Sequence, residues 1–218
     1  MAEPTHPHDT LFKGLLDQPG TAGALLRERL PPEIVLLLAD DPPELVPGEY
    51  VDEALRDSRS DRLYRMRLQD GGDLFLYVLI EHKSTPDPEI ILQLLGYLLR
   101  IWRWLIGEGV SVRALPPILP LVVYHGAREW TVALSLRETL AAPAAIIPYL
   151  PDFHYALLDL GPIPDLALSA YPPLRAGLLT LKYSHRRQNP AGAGLHRRQG
   201  SAAAVYHADG VRHHRLYK

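Results

Sequence analysis

Apolar residues recur at helical spacing near the amino end of the chain: Leu11, Phe12, Leu15 and Leu16, then Ala22, Leu25, Leu26 and Leu30, with Pro19 and Gly20 between the two sets. That spacing predicts two short helices, the first with Asp9 as its N-cap. "PPEIVLLLADD" predicts a third apolar helix, followed by a Pro-rich connection. The pattern then changes to alternation. "SDRLYRMRL" and "DLFLYVLIEHKS" read as two strands around "QDGGD". Asp87 and Pro88 signal the start of a helix that runs through "EIILQLLGYLLRIWRWLIGEG" to Gly107 and Gly109. Because it is apolar on most of its circumference, this helix is expected to be well buried, with Gln93, Tyr97 and Arg100 as its one polar stripe. "ILPLVVYHG" and "FHYALLDL" read as further strands and "YPPLRAGLLTLKY" as a closing helix. The order of helix, β-hairpin, helix, strand, strand and helix predicts an α/β sandwich: a mixed central sheet flanked by helices.

Register in the hairpin follows from parity, because a slip of one residue exchanges the two faces of a strand. Tyr64, Met66 and Leu68 in the first strand and Leu74, Leu76, Val78 and Ile80 in the second are even-numbered and apolar, so even must face even. A loop of odd length centred on Gly71 then sets Met66 opposite Leu76, Tyr64 opposite Val78 and Asp61 opposite Glu81. Directly opposed residues have Cβ atoms roughly 5 Å apart. Asp61, Glu81 and Lys83 would therefore converge, and two carboxylates at that distance call for a cation between them. A hard divalent ion with oxygen ligands meets the need, the backbone carbonyl of His82 can add a ligand, and Lys83 can stabilise charge or orient a water. The alternative is a strand end carrying a solvated Glu/Lys pair.

At 218 residues and 47% hydrophobic content the chain can build one domain with a sizeable core. It has no cysteine, which excludes disulfides, thiolate zinc sites and thiol nucleophiles. No run of 18 uncharged apolar residues occurs, and "MAEPTHPHDT" has neither a basic nor an apolar leader region, so the expected location is cytoplasmic, with no membrane involved. The net charge of −2 conceals an asymmetry. Residues 183–218 hold seven Arg and Lys against one acid (+6), and residues 1–182 hold 16 against 24 (−8). The division expected is a folded domain over residues 1–183 and a basic tail over 184–218. That tail lacks periodicity and buries too little apolar surface to offset its ordering entropy; its abrupt composition also suits an aberrant gene end.

Other residues have both functional and structural readings. His8 and Asp9 could serve a phosphohydrolase or a metal site, although capping accounts for Asp9. Glu53 and Asp57 are secondary metal candidates. Trp102 and Trp104 suit a core or an interface. Tyr124 and His125 end a strand, where they could flank a substrate or, for His125, satisfy a turn. Arg62, Arg65, Arg67, Arg100 and Arg103 are the cations available for phosphate contacts on an otherwise acidic body.

An Asp followed across a hairpin by Glu-x-Lys at the end of an apolar strand resembles the PD-(D/E)xK nuclease core. With "HDTLFKGLL", "SDRLYRMRL", "YVLIEHKSTPD", "LLGYLLRIW" and "LPPILPLVVYHG", the chain resembles, over roughly residues 8–183, the bacterial Rpn family of recombination-promoting nucleases, also labelled YhgA-like putative transposases. The resemblance implies a restriction-endonuclease-like core and a metal-dependent DNA endonuclease associated with recombination or mobile elements. Asp61 falls on the first acidic position, and Glu81 and Lys83 fall on the Glu-x-Gln/Lys motif. Many members carry Gln where this chain has Lys83, the form found in the wider superfamily. The implied cofactor is Mg²⁺ or Mn²⁺, held by Asp61, Glu81 and the carbonyl of His82, and the implied partner is DNA, with Arg62, Gln93, Tyr97 and Arg100 in supporting or DNA-contacting roles. A homodimer is left open. A noncatalytic DNA-binding or protein-binding module on the same fold is the competing expectation.

Overall fold

The computed structural model describes residues 7–46, 62–81 and 86–188. The helices are α1 (Pro7–Leu16), α2 (Thr21–Arg29), the single turn α3 (Pro32–Val35), α4 (Ile90–Gly107), α5 (Leu136–Leu140) and α6 (Pro172–Gln188). The strands are β1 (Glu44–Val46), β2 (Arg62–Arg67), β3 (Asp73–Glu81), β4 (Ile118–Tyr124) and β5 (Ala156–Asp159). They form one mixed sheet in the order β1-β2-β3-β4-β5. β2 pairs antiparallel with both β1 and β3, and β3, β4 and β5 are parallel. The predicted class, a mixed sheet flanked by helices, is the one observed.

Both faces of the sheet are buried, and within each strand alternate residues go to opposite faces. Tyr64, Met66, Leu74, Leu76 and Val78, with Leu121, Val123 and Leu158, pack against α1, α2 and α6 through Phe12, Leu25, Leu26, Leu174 and Leu178. Leu63, Phe75, Tyr77 and Val122 pack on the other side against Ile90, Leu94, Tyr97 and Ile101 of α4. A central strand buried on both faces needs apolar residues at every position, which is why "LFLYVLI" is a continuous run.

The hairpin register differs from the expected one by two residues. Met66 lies opposite Leu74 and Tyr64 opposite Leu76, so paired numbers sum to 140 and the turn centres on Asp70 rather than Gly71. Leu68 donates its N–H to the Gly72 carbonyl at 2.8 Å, closing a three-residue loop in which Asp70 Oδ1 accepts from the Gly72 N–H at 2.8 Å. Gly71 takes φ +87°, the left-handed position that such a loop requires and that glycine occupies without strain. The pattern fixes parity but not loop position, because Gly71 and Gly72 both offer a positive-φ turn.

Four other expectations change. The first helix begins at Pro7, so Asp9 lies in its first turn and not at the N-cap position. The third apolar stretch forms only one turn; Leu36 and Leu37 are exposed and Leu38 is buried. β1 forms within the Pro-rich connection, where its three residues carry too little pattern to show in the sequence. Helix α4 buries one face only, leaving Leu92, Leu99 and Ile106 exposed. By length and composition alone α4 could cross a membrane, with mean hydropathy 1.4 over 18 residues. Seven of those residues are buried in the core, and Arg100 and Arg103 lie on its exposed side.

Candidate active site

The parallel strands end together. In the ladder Glu81 pairs with Tyr124 and Tyr124 pairs with Asp159, so three strand ends, β3, β4 and β5, stand in one row along the carboxyl edge of the sheet. In open sheets with parallel strands, ligands bind beyond this edge. Glu81 is described as the last residue of β3. Asp61, His82 and Lys83 lie outside the described residues, as do Glu53 and Asp57. The expected direct opposition of Asp61 and Glu81 depended on paired numbers summing to 142, and the ladder over Arg62–Arg67 does not have that register.

Tyr124 is fully buried, and its ring folds over Gly126 so closely that a Cβ there would overlap the hydroxyl. The "YHG" sequence thus has a steric basis: only glycine lets the chain turn beneath the tyrosine. His125, the residue between them, is 2% exposed, and its Nδ1 lies 3.4 Å from Ser184 Oγ of α6. Ser184 donates its single proton to the Leu181 carbonyl at 2.7 Å, so the histidine Nδ1–H is the donor between them. His125 joins the sheet edge to α6 as a satisfied turn histidine. Ser184 is buried and α6 continues to Gln188, past the expected domain boundary at residue 183.

Asp159 ends β5 as Glu81 ends β3. Its Oδ1 accepts the Gly161 N–H at 2.9 Å, and burial raises its carboxyl above the ordinary aspartate value, opposed by backbone donors from Gly161 and Trp130 and by the Lys182 charge. Lys182 itself is held by the Ile163 carbonyl and by Asp165 Oδ1 at 3.0 Å. Beside Asp159 lies a cavity of about 660 Å³ whose lining includes Arg128, Trp130, Thr131 and Leu157. Asp159 was not singled out as a candidate, yet "FHYALLDL" carries the same signal as "LYVLIE": an apolar strand that ends in an acid.

The supporting residues are distributed unequally. Gln93 Nε2 donates to the Tyr97 hydroxyl at 3.4 Å, and the Arg100 guanidinium lies 5.4 Å from the Tyr97 ring centroid. The polar stripe is therefore real, but Tyr97 is buried with its ring 5.0 Å from that of Tyr77. Tyr77 precedes Glu81 by four residues, about 13 Å along the strand, so Tyr97 serves packing and the exposed Gln93 and Arg100 remain accessible. Arg62 Nη2 donates to both carboxylate oxygens of Asp17 at 2.8 Å, and a phosphate taking that nitrogen would have to displace the carboxylate. Arg65 is paired with Glu44, and Arg67 lies 3.9 Å from Asp73. Trp102 donates its indole N–H to the Pro116 carbonyl at 3.0 Å, and Trp104 packs against the α4 side of the core.

A family model described as "Putative transposase, YhgA-like" matches residues 6–198, and the chain belongs to that family. It is 32% identical over 183 residues to the recombination-promoting nuclease RpnD of Escherichia coli O157:H7, covering 84% of this chain and 68% of that one. It is 31% identical to RpnA of Escherichia coli K12, covering 84% and 61% respectively. The inactive recombination-promoting nuclease-like protein RpnE of the same strain is 27% identical over 83% of this chain and 59% of its own. The chain thus spans about three fifths to two thirds of the length of these relatives. No solved structure matches. The resemblance to the Rpn nucleases read from the sequence holds, and it identifies the chain as a relative of nucleases associated with recombination.

Proposed function

We propose that the chain is a metal-dependent DNA endonuclease of PD-(D/E)xK type, with its centre at the carboxyl end of β3. The observation that carries this reading is that Glu81 closes the strand at which the antiparallel hairpin and the parallel half of the sheet meet. If the β2–β3 ladder continues one step, position 61 faces 79 and stands diagonal to 81. Diagonal neighbours lie roughly 7 to 8 Å apart, close enough for two carboxylates to share one ion. Asp61, Glu81 and the His82 carbonyl are hard oxygen donors, the set that Mg²⁺ or Mn²⁺ takes. When bound, the ion supplies Lewis-acid activation of water and of a nonbridging phosphate oxygen. Lys83 orients the attacking water and stabilises charge that develops on the phosphoryl oxygens. Gln93 and Arg100 contact the DNA backbone from α4, and Arg62 does so on exchange of its Asp17 partner.

A second reading has its own support. A relative at 27% identity is named inactive, which suits a DNA-binding or protein-binding module that has lost cleavage, and the acidic body of this chain favours the protein-binding form of it. Incubation of purified protein with supercoiled plasmid in Mg²⁺, with and without EDTA, separates the two. Nicking that EDTA abolishes supports the endonuclease, and DNA retention without nicking supports the module.

A further inference from the structure

The cavity beside Asp159 is separate from the proposed metal centre but stands on the same sheet edge. Asp159 lies two strands from Glu81 in one register row, roughly 10 Å away at the usual strand spacing. That separation equals about three base steps of stacked DNA. Trp130 is fixed in the cavity wall: its indole N–H donates to the Val132 carbonyl at 3.1 Å, and its ring makes edge contacts with Tyr124 and Tyr155 at 4.9 and 6.3 Å. Its only donor is used, so it offers a ligand aromatic surface alone. Asp159 is held by backbone N–H groups, and its half-buried carboxylate has acceptor capacity for further donors. Arg128, exposed on the lining, has no ion-pair partner among the described residues.

An aromatic plane, a half-buried acceptor and a surface guanidinium match the face of a base, its amine edge and its phosphate. We infer that this cavity holds one unpaired nucleobase of the DNA bound at the sheet edge, stacked on Trp130, with its exocyclic amine donating to Asp159 and its phosphate on Arg128. The inference rests on the endonuclease reading and adds to it a specificity subsite. Stacking on an aromatic side chain accepts any base, whereas a carboxylate acceptor favours those that carry an amine, cytosine, adenine and guanine, over thymine. A base buried in this way must come from single-stranded or locally opened DNA.

The test is titration of the full chain, in EDTA, with dCMP, dAMP, dGMP and TMP, following the indole N–H resonances by NMR. Trp130 is assigned by the signal lost in Trp130→Phe. The expected result is a shift of the Trp130 resonance with all four, at least about fivefold weaker for TMP. Asp159→Asn should remove that preference, and Arg128→Ala should weaken all four alike. A Trp130 resonance that no mononucleotide moves, or binding of TMP as tight as that of dCMP, overturns the subsite. Metal-dependent nicking that persists beside a silent Trp130 overturns the subsite alone. A responsive Trp130 without nicking supports the subsite and counts against the endonuclease.

Discussion

Tyr64 lies directly opposite Leu76 in the β2–β3 ladder, two residues nearer the turn than parity alone could specify. The three-residue loop that fixes this register depends on Gly71 at φ +87°. Nothing lies within 4 Å of where a Cβ at Gly71 would sit, so the penalty for a side chain there is conformational and not steric. Gly71→Ala should lower stability by about 1 kcal/mol, read as a lower urea midpoint at unchanged slope. An unchanged midpoint would mean that the loop does not hold the left-handed conformation.

Asp159 should give stability a distinctive pH dependence. Burial raises its carboxyl in the folded state, so the native form binds a proton more readily than the unfolded chain. Its contribution is favourable below the ordinary aspartate value, about 4, and is lost as pH rises through the raised folded value. Asp159→Asn removes the charge and keeps an oxygen for the Gly161 N–H. The variant should be the more stable at pH 7, with the difference shrinking toward zero as pH falls below about 4. Urea unfolding of both proteins across that interval measures it, and a gap that widens on acidification would reverse the assignment.

Ser184 ties α6 to His125 at the sheet edge. Ser184→Ala leaves the buried imidazole N–H facing a methyl group and should cost about 1 kcal/mol. Ending the chain after Tyr183 should destabilise it by at least as much relative to ending it after Gln188, since the final turn of α6 goes with the serine. Equal midpoints for the two truncations would place the structural end of the domain at residue 183.

Leu98 and Leu99 are adjacent on α4 and differ in burial, 3% against 48% exposed. Leu98→Ala should therefore cost about 2 to 5 kcal/mol, and Leu99→Ala should stay within about 0.5 kcal/mol. A large loss at Leu99 would mean that the outer face of α4 is covered in solution, and sedimentation would show whether a second copy covers it.

The sequence was legible where a pattern has only one physical solution. The apolar run of β3 had to be buried on both faces, and parity fixed which residues of β2 share a face with it. The long helix after Asp87 was also clear: the Asp87 carboxylate accepts the Glu89 N–H at 2.9 Å as the chain enters α4. Choices between near-equal local solutions were not legible. Gly71 and Gly72 permitted turns two register steps apart, and three-residue β1 has almost no periodicity. Burial of α4 was overestimated because its outer leucines look the same in sequence as its inner ones. Asp159 is a different case: an acid closing an apolar strand is visible in "FHYALLDL", but Trp130 and Lys182 reach it only through the fold.

In the proposed centre the two carboxylates hold the metal and the lysine acts on the chemistry. Mn²⁺ affinity and plasmid nicking rate, measured side by side for Asp61→Ala, Glu81→Ala and Lys83→Ala, test it most directly. Expected is loss of both metal binding and nicking in the two carboxylate variants. Lys83→Ala should bind Mn²⁺ nearly as wild type and nick at least about 100-fold more slowly, the scale of removing one group that stabilises transition-state charge. Equal Mn²⁺ affinity in all three variants would contradict carboxylate ligation, and undiminished nicking by Glu81→Ala would place the active centre elsewhere.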